Sequence, residues 1–246
     1  MDAKNVKAYF ESEGVVNYYA KASVELGLWA SEEKIFTRLF ALDDSLLELG
    51  CGAGRIGLGL YELGYRNVLA TDYARSMVVK ARDLAKRLDY AIHCRVADAT
   101  CLDFEDEIFD GAIFGFNGLM QIPKMAQRER SLSEVFRVLL PGAWFVFTTH
   151  DRDCFTHRKF WEAETVRWEY GTEKPELEDF GDRYEPTDYG MHFIHVPTVA
   201  EMQLLLDKVG FHIEASVMRS ELGKESAEVE AFSDDCRFWI VKKPES

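Results

Sequence analysis

The sequence predicts an α/β fold, a mostly parallel sheet with helices on both faces. Three observations carry this. A short apolar run, Leu46 to Leu49, meets glycines at 50, 52 and 54 and then a helical pattern, Arg55 to Leu63. Strand, glycine turn and helix in that order is how a parallel sheet opens a ligand site at its carboxyl edge. Short β-rich runs then alternate with amphipathic stretches as far as Thr149, the pattern of successive βα units. Two last apolar runs, Phe211 to Met218 and Cys236 to Val241, close the chain.

The 246 residues are 47% apolar, ample for a buried core, and carry a net charge of −14. That charge disfavours a surface built to bind nucleic-acid or membrane phosphates. The five cysteines, Cys51, Cys94, Cys101, Cys154 and Cys236, form no C-x-x-C pair. They predict free thiols in a reducing cytoplasm rather than disulfides or a zinc site. The polar start lacks the apolar run of a signal peptide, and no stretch is long enough for a membrane span.

In order, residues 1–44 form an aromatic-rich N-terminal cap. Val15 to Leu26 reads as a helix broken at Gly27, and Ser31 as the N-cap of a helix from Glu32 to about Leu42. The glycine turn follows the first strand. Gly64 stops the next helix, and Asn67 to Asp72 is the second strand, ending in an acid. An acid at that place accepts from the hydroxyls of a ribose. Arg75 to Leu88 is an amphipathic helix with Met77, Val78, Ala81 and Leu84 on one side. Ile92 to Ala97 is the third strand, followed by Asp98, and Phe109 to Phe116 the fourth. Glu129 to Leu140 is a helix, stopped by Pro141-Gly142, and Trp144 to Thr149 a buried strand reaching His150.

Residues 151–196 are charged and aromatic and do not read as sheet. They are expected to cover the site as a lid, with an antiparallel pair at Glu164 to Tyr170 and Met191 to Val196. Thr198 caps a helix to Val209, and an acidic loop, Glu221 to Asp235, joins the last two strands.

The glycines alone leave two cofactors open. Gly52, Gly54 and Gly57 satisfy the dinucleotide pattern G-x-G-x-x-G, whereas Glu48, Gly50, Gly52 and Gly54 read as an acid followed by G-x-G-x-G. The second reading resembles motif I of the class I S-adenosylmethionine-dependent methyltransferases. The ordered set of later motifs extends the resemblance over residues 45–150 and 197–243. These are Asp98, Phe109-Asp110, and the Arg137 to Ala143 corner before the fifth strand. The likeness is to the small-molecule type, the methyltransferase domain 11/25-like group. It implies a single Rossmann-like domain with a seven-stranded, mostly parallel sheet and an antiparallel last strand. It also implies S-adenosyl-L-methionine as cofactor. Carried onto this chain, the donor site is Glu48, Gly50, Cys51, Gly52, Gly54, Asp72, Tyr73, Met77, Asp98, Ala99, Phe114 and Asn117. In this family an acid at Asp98 accepts from the adenine amine, and the backbone of Ala99 faces the ring.

The absence of N-P-P-Y, D-P-P-Y or a Pro-Cys dipeptide disfavours DNA and glutamine-amide acceptors. The expectation is methyl transfer to the N or O of a small molecule, with no nucleic-acid or membrane partner and no metal. His150 is the candidate base, since an imidazole accepts a proton near neutral pH. Tyr18, Tyr19, Trp29, Gln121, His157 and His192 are candidate substrate-lining residues. A protein or RNA methyltransferase, an NAD-dependent oxidoreductase and a non-catalytic nucleoside-binding module stand as alternatives.

Overall fold

The computed structural model describes residues 2–245. The chain opens with three helices, α1 (Ala3–Glu11), α2 (Glu13–Glu25) and α3 (Ala30–Leu39). Then alternate β1 (Leu46–Leu49), α4 (Arg55–Glu62), β2 (Val68–Asp72), α5 (Arg75–Arg87), β3 (His93–Val96), β4 (Phe109–Phe114), α6 (Met125–Val138) and β5 (Leu139–Thr149). The insertion holds α7 (Arg158–Glu169) and a hairpin of β6 (Asp182–Thr187) and β7 (Gly190–His195). The chain ends with α8 (Val199–Val209), β8 (His212–Met218), the short helices α9 (Arg219–Leu222) and α10 (Ala227–Phe232), and β9 (Arg237–Lys242).

The main sheet has seven strands in the order β3-β2-β1-β4-β5-β9-β8, with β9 antiparallel to both neighbours. Side-chain alternation decides what each face holds. Leu47, Leu49, Ala112, Phe145 and Phe147 point to a core closed by Leu132 and Val135 of α6 and Met202 and Leu206 of α8. Leu46, Ile113, Val146 and Phe238 point the other way, onto Ile35 and Phe36 of α3 and Ile56 and Leu60 of α4. Strands buried on both faces have to be apolar throughout, as these are. Strand order reverses between β1 and β4, so their carboxyl ends part there and leave a crevice.

Four local expectations are corrected. Ser31 does not cap α3; it lies inside the helix, and Trp29 occupies the cap position. The free N–H groups are satisfied from elsewhere. The backbone N of Trp29 donates to Glu32 Oε2 at 3.0 Å, and those of Ala30 and Ser31 donate to the carboxylate of Glu225 at 3.0 and 2.9 Å. The sixth helix begins at Met125, not Glu129. The strand expected at Glu164 to Tyr170 is instead the end of α7, with Tyr170 at its C-cap, and Trp161 and Trp168, seven residues apart on this helix, both pack edge-on against Phe180. The partner of β7 is β6 instead. The acidic loop contains α9 and α10, the latter capped by Ser226 accepting from the N of Val229.

The insertion is fastened to the sheet by a buried polar cluster. Arg152 donates to the carbonyls of Phe180 and Val196 and to Glu201 of α8, at 2.7, 3.0 and 3.0 Å. His195 on β7 lies between Asp182 and Glu201, at 2.8 and 2.6 Å. At its other end the hairpin meets α1, where the Tyr9 and Thr187 hydroxyls are 3.3 Å apart. No helix among the described residues is long and apolar enough to cross a membrane.

Candidate functional site

The crevice at the ends of β1 and β4 holds a cavity of about 270 Å³. The backbone that borders it turns sharply, with Gly50 and Gly52 at φ +60° and +54°, a region that side chains with a Cβ avoid. A Cβ on Gly52 would meet nothing nearer than Tyr19 at 3.9 Å, so the bare peptide faces open space. Around it stand Glu48, Cys51, Asp72, Tyr73, Met77, Asp98, Ala99 and Phe114. Ten of the twelve residues expected in the donor site therefore line one cavity.

The two acids at the strand ends are held by backbone donors. The Asp72 carboxylate accepts from the N of Gly52 at 2.9 Å and from the N of Ala74 at 2.7 Å. Burial raises its pKa to about 6, against the pull of those two N–H groups. Asp98 accepts from the N and Oγ1 of Thr100 at 2.8 and 2.7 Å, which fixes its side chain in an Asx turn.

Glu48 is 1% exposed, and burial pushes its pKa up to about 8, with Arg55 pulling the other way. Its Oε2 has no partner among the described residues and lies 2.8 Å from where a Cβ on Gly57 would sit. Gly57 is thus small to seat Glu48 rather than to approach a pyrophosphate. Arg55 itself is paired with both oxygens of Glu32, at 2.6 and 2.7 Å, beneath the Trp29 ring at 4.4 Å.

Two expected donor residues fall elsewhere. Gly54 is the cap of α4 and packs on α5, where an added Cβ would be 3.1 Å from that of Ala81. Asn117 borders a second cavity of about 380 Å³. The two chambers share Tyr19, Phe116, Gln121 and Phe232 as a common wall. Tyr18, His150 and His192 line the second one, with Tyr9, Asp188, Tyr189 and Asp234. Two expected lining residues are absent from both. Trp29 is 2% exposed, between the guanidinium groups of Arg55 and Arg219 at 4.4 and 5.0 Å. His157 is exposed at the start of α7.

Phe116 and Asn117 both sit at positive φ, +49° and +59°, a strained pair at the junction of the chambers. The Asn117 backbone N is anchored on Thr148 Oγ1 at 2.8 Å, and its amide nitrogen lies 3.2 Å from His150 Nε2. His150 Nδ1 is 3.3 Å from the carbonyl of Asp235. A carbonyl only accepts, so Nδ1 carries the proton and Nε2 accepts from the Asn117 amide. Burial lowers the His150 pKa. The expected base thus has its lone pair engaged and its basicity reduced. Asn117 Oδ1 is left buried without a partner among the described residues.

Phe232 and Asp234 were missed in sequence because they lie in a stretch read as an acidic loop, where no periodicity marks them. Asp188 and Tyr189 enter only through the pairing of β6 with β7.

A family profile described as a methyltransferase domain matches residues 46–142. A demethylmenaquinone methyltransferase of Thermus thermophilus is 32% identical over 102 residues, 41% of this chain and 44% of that protein. The chain thus spans less than half the length of that curated relative. Among solved structures, a S-adenosylmethionine-dependent methyltransferase of Methanosarcina mazei superposes with a TM-score of 0.69 at 24% identity, covering 86% of this chain and 98% of the other. A Burkholderia thailandensis 1,6-didemethyltoxoflavin-N1-methyltransferase, solved with that substrate and S-adenosylhomocysteine, gives 0.61 at 18% identity, covering 99% and 91%. At these identities the two superpositions speak for the fold.

Proposed function

We propose, on the methyltransferase-domain profile that matches residues 46–142, that the chain is a class I S-adenosylmethionine-dependent methyltransferase and moves a methyl group from S-adenosylmethionine to a small-molecule acceptor. The observation that carries this is the pair of chambers sharing one wall, the first with the strand-end acids and the second roofed by the N-terminal helices and the hairpin.

The residues present fit the donor. Asp72 would accept from the ribose hydroxyls, Asp98 from the adenine amine, and the open peptide at Gly52 would face the amino-acid portion. Met77 and Phe114 give the cavity apolar walls. When bound, the donor supplies a methyl group already activated by its sulfonium. The protein's own task is to align the acceptor and exclude water. Tyr19, Phe116 and Phe232 sit at the junction of the chambers to do this, and aromatic faces also suit a cation.

The second chamber, roofed by the N-terminal helices and the hairpin, favours a small acceptor over a protein or RNA, and over a binding module without turnover. The acceptor of a curated relative, a demethylmenaquinone by name, is a small molecule too. A cytoplasmic site of action belongs to the same proposal, on the free and dispersed thiols.

The test is calorimetric titration with S-adenosylhomocysteine and, in parallel, NAD. Micromolar binding of the first alone is expected. Binding of NAD alone sinks the reading.

A further inference from the structure

Resting on the reading of the first chamber as the donor site, we infer that the second chamber takes an amine as methyl acceptor, drawn in as an ammonium ion. Three features of the chamber point the same way.

The first is the hydrogen-bonding character of its wall. Asn117 is 4% exposed, and its Oδ1 has no partner among the described residues. The tautomer of His150 set by the Asp235 carbonyl fixes the amide orientation, so the unpaired atom is the oxygen, an acceptor. His192 Nε2 is also buried without a partner. The Asn117 oxygen therefore calls for an occupant with an N–H or O–H donor, whereas His192 Nε2 accepts or donates according to its tautomer. A neutral primary amine brings two and keeps a lone pair for attack. A phenol brings one, and a carboxylate brings none and would set its oxygens against Asn117 Oδ1.

The second is charge. Asp188 and Asp234 stand exposed at the mouth, and among the described residues no lysine or arginine lines the chamber. Arg219 stands behind this wall, donating to the carbonyl of Ser233 at 2.8 Å and lying over Trp29, and its charge bears on His150, so the carboxylates at the mouth and not the inner wall supply the negative field. Such a field concentrates cations and repels carboxylates and phosphates.

The third is a closed circuit of rings. Tyr18 stacks on Phe232 at 5.3 Å, Phe232 on Phe116 at 5.3 Å, Phe116 meets Tyr19 at 5.9 Å, and Tyr19 meets Tyr18 at 5.6 Å. Aromatic walls hold ammonium groups by their quadrupoles and pack well on an arylalkyl chain.

In the transfer the ammonium first loses a proton to solvent at the carboxylate-lined mouth. The nitrogen lone pair then forms the N–C bond as the C–S bond breaks, and that bond's electron pair leaves on sulfur. The new ammonium loses its extra proton to water. No further reactant is needed.

The experiment titrates the full chain, already loaded with S-adenosylhomocysteine, with phenethylamine, 4-ethylphenol and 3-phenylpropanoate. The amine is expected to bind at least tenfold tighter than the other two. The Asp188→Asn, Asp234→Asn double variant should weaken the amine about fivefold or more and leave 4-ethylphenol within twofold. With labelled S-adenosylmethionine, label should pass to the amine. Equal or tighter binding of the phenol or the acid overturns the inference, as does a loaded protein that does not bind the amine. Failure of S-adenosylhomocysteine itself to bind is a different result and strikes the donor reading.

Discussion

The side-chain amide of Asn117 donates to Nε2 of His150 across 3.2 Å, and the carbonyl of Asp235 on the far side of the ring fixes which nitrogen accepts. The pair works as one unit, with His150 holding the amide and Asn117 presenting its oxygen.

His150→Ala and Asn117→Ala are therefore expected to slow turnover by similar factors, about 10- to 100-fold, the scale of one or two polar contacts. Donor affinity should be spared. The double variant should be little worse than either single change, because both remove the same contact. His150→Gln keeps an acceptor for the amide and should recover part of the rate. A His150→Ala loss tenfold beyond that of Asn117→Ala would show that the imidazole acts directly as a base.

Asp72→Ala should weaken S-adenosylhomocysteine binding by roughly 1.5–3 kcal/mol, the range for hydrogen bonds to a charged group. Calorimetry reads it directly, and unchanged affinity removes Asp72 from the donor site.

Glu48 predicts a pH dependence of stability. Its folded pKa of about 8 lies above the ordinary 4.5 of a glutamate because of burial, and Arg55, Glu32, Asp72 and the N–H of Gly57 are the groups that act on it. The folded state holds the proton more tightly than the unfolded one. Its contribution is complete below 4.5 and is lost as pH rises toward 8. Glu48→Gln mimics the protonated form, so the variant should gain on the wild type steadily between pH 5 and 8 in urea unfolding. A difference that stays flat across that range would refute the assignment.

Glu225→Ala removes the acceptor for two N–H groups of α3. Loss of a cap and of hydrogen bonds to a charge predicts destabilisation of about 2 kcal/mol. The urea midpoint should fall with an unchanged slope. A midpoint within error of the wild type would mean that solvent replaces Glu225.

The elements that read correctly are those whose signal is local. Leu46 to Leu49 into the glycines, and Met77, Val78, Ala81 and Leu84 on one side of α5, carry their geometry in a few consecutive residues. Capping and the lid did not read this way. Ser31 has the right chemistry for a cap, yet a carboxylate that lies 195 residues away along the chain satisfies that helix end. The stretch expected as a strand at Glu164 to Tyr170 holds the end of a helix whose Trp161 and Trp168 both meet Phe180, a contact that no local pattern carries.

By itself the sequence determined the sheet, its glycine turn and the acids at its strand ends. Backbone conformation and side-chain alternation are set by near neighbours, and ten of the twelve expected donor-site residues line one cavity. Tertiary structure decided the second chamber. Its wall joins α1, α2, the turn after β4, the end of β5, the hairpin and α10. Which nitrogen of His150 accepts, and hence which atom of Asn117 is left unpaired, depends on a carbonyl 85 residues further along the chain. No local pattern encodes such a contact, because a hydrogen bond is fixed by position in space and not by spacing in the chain.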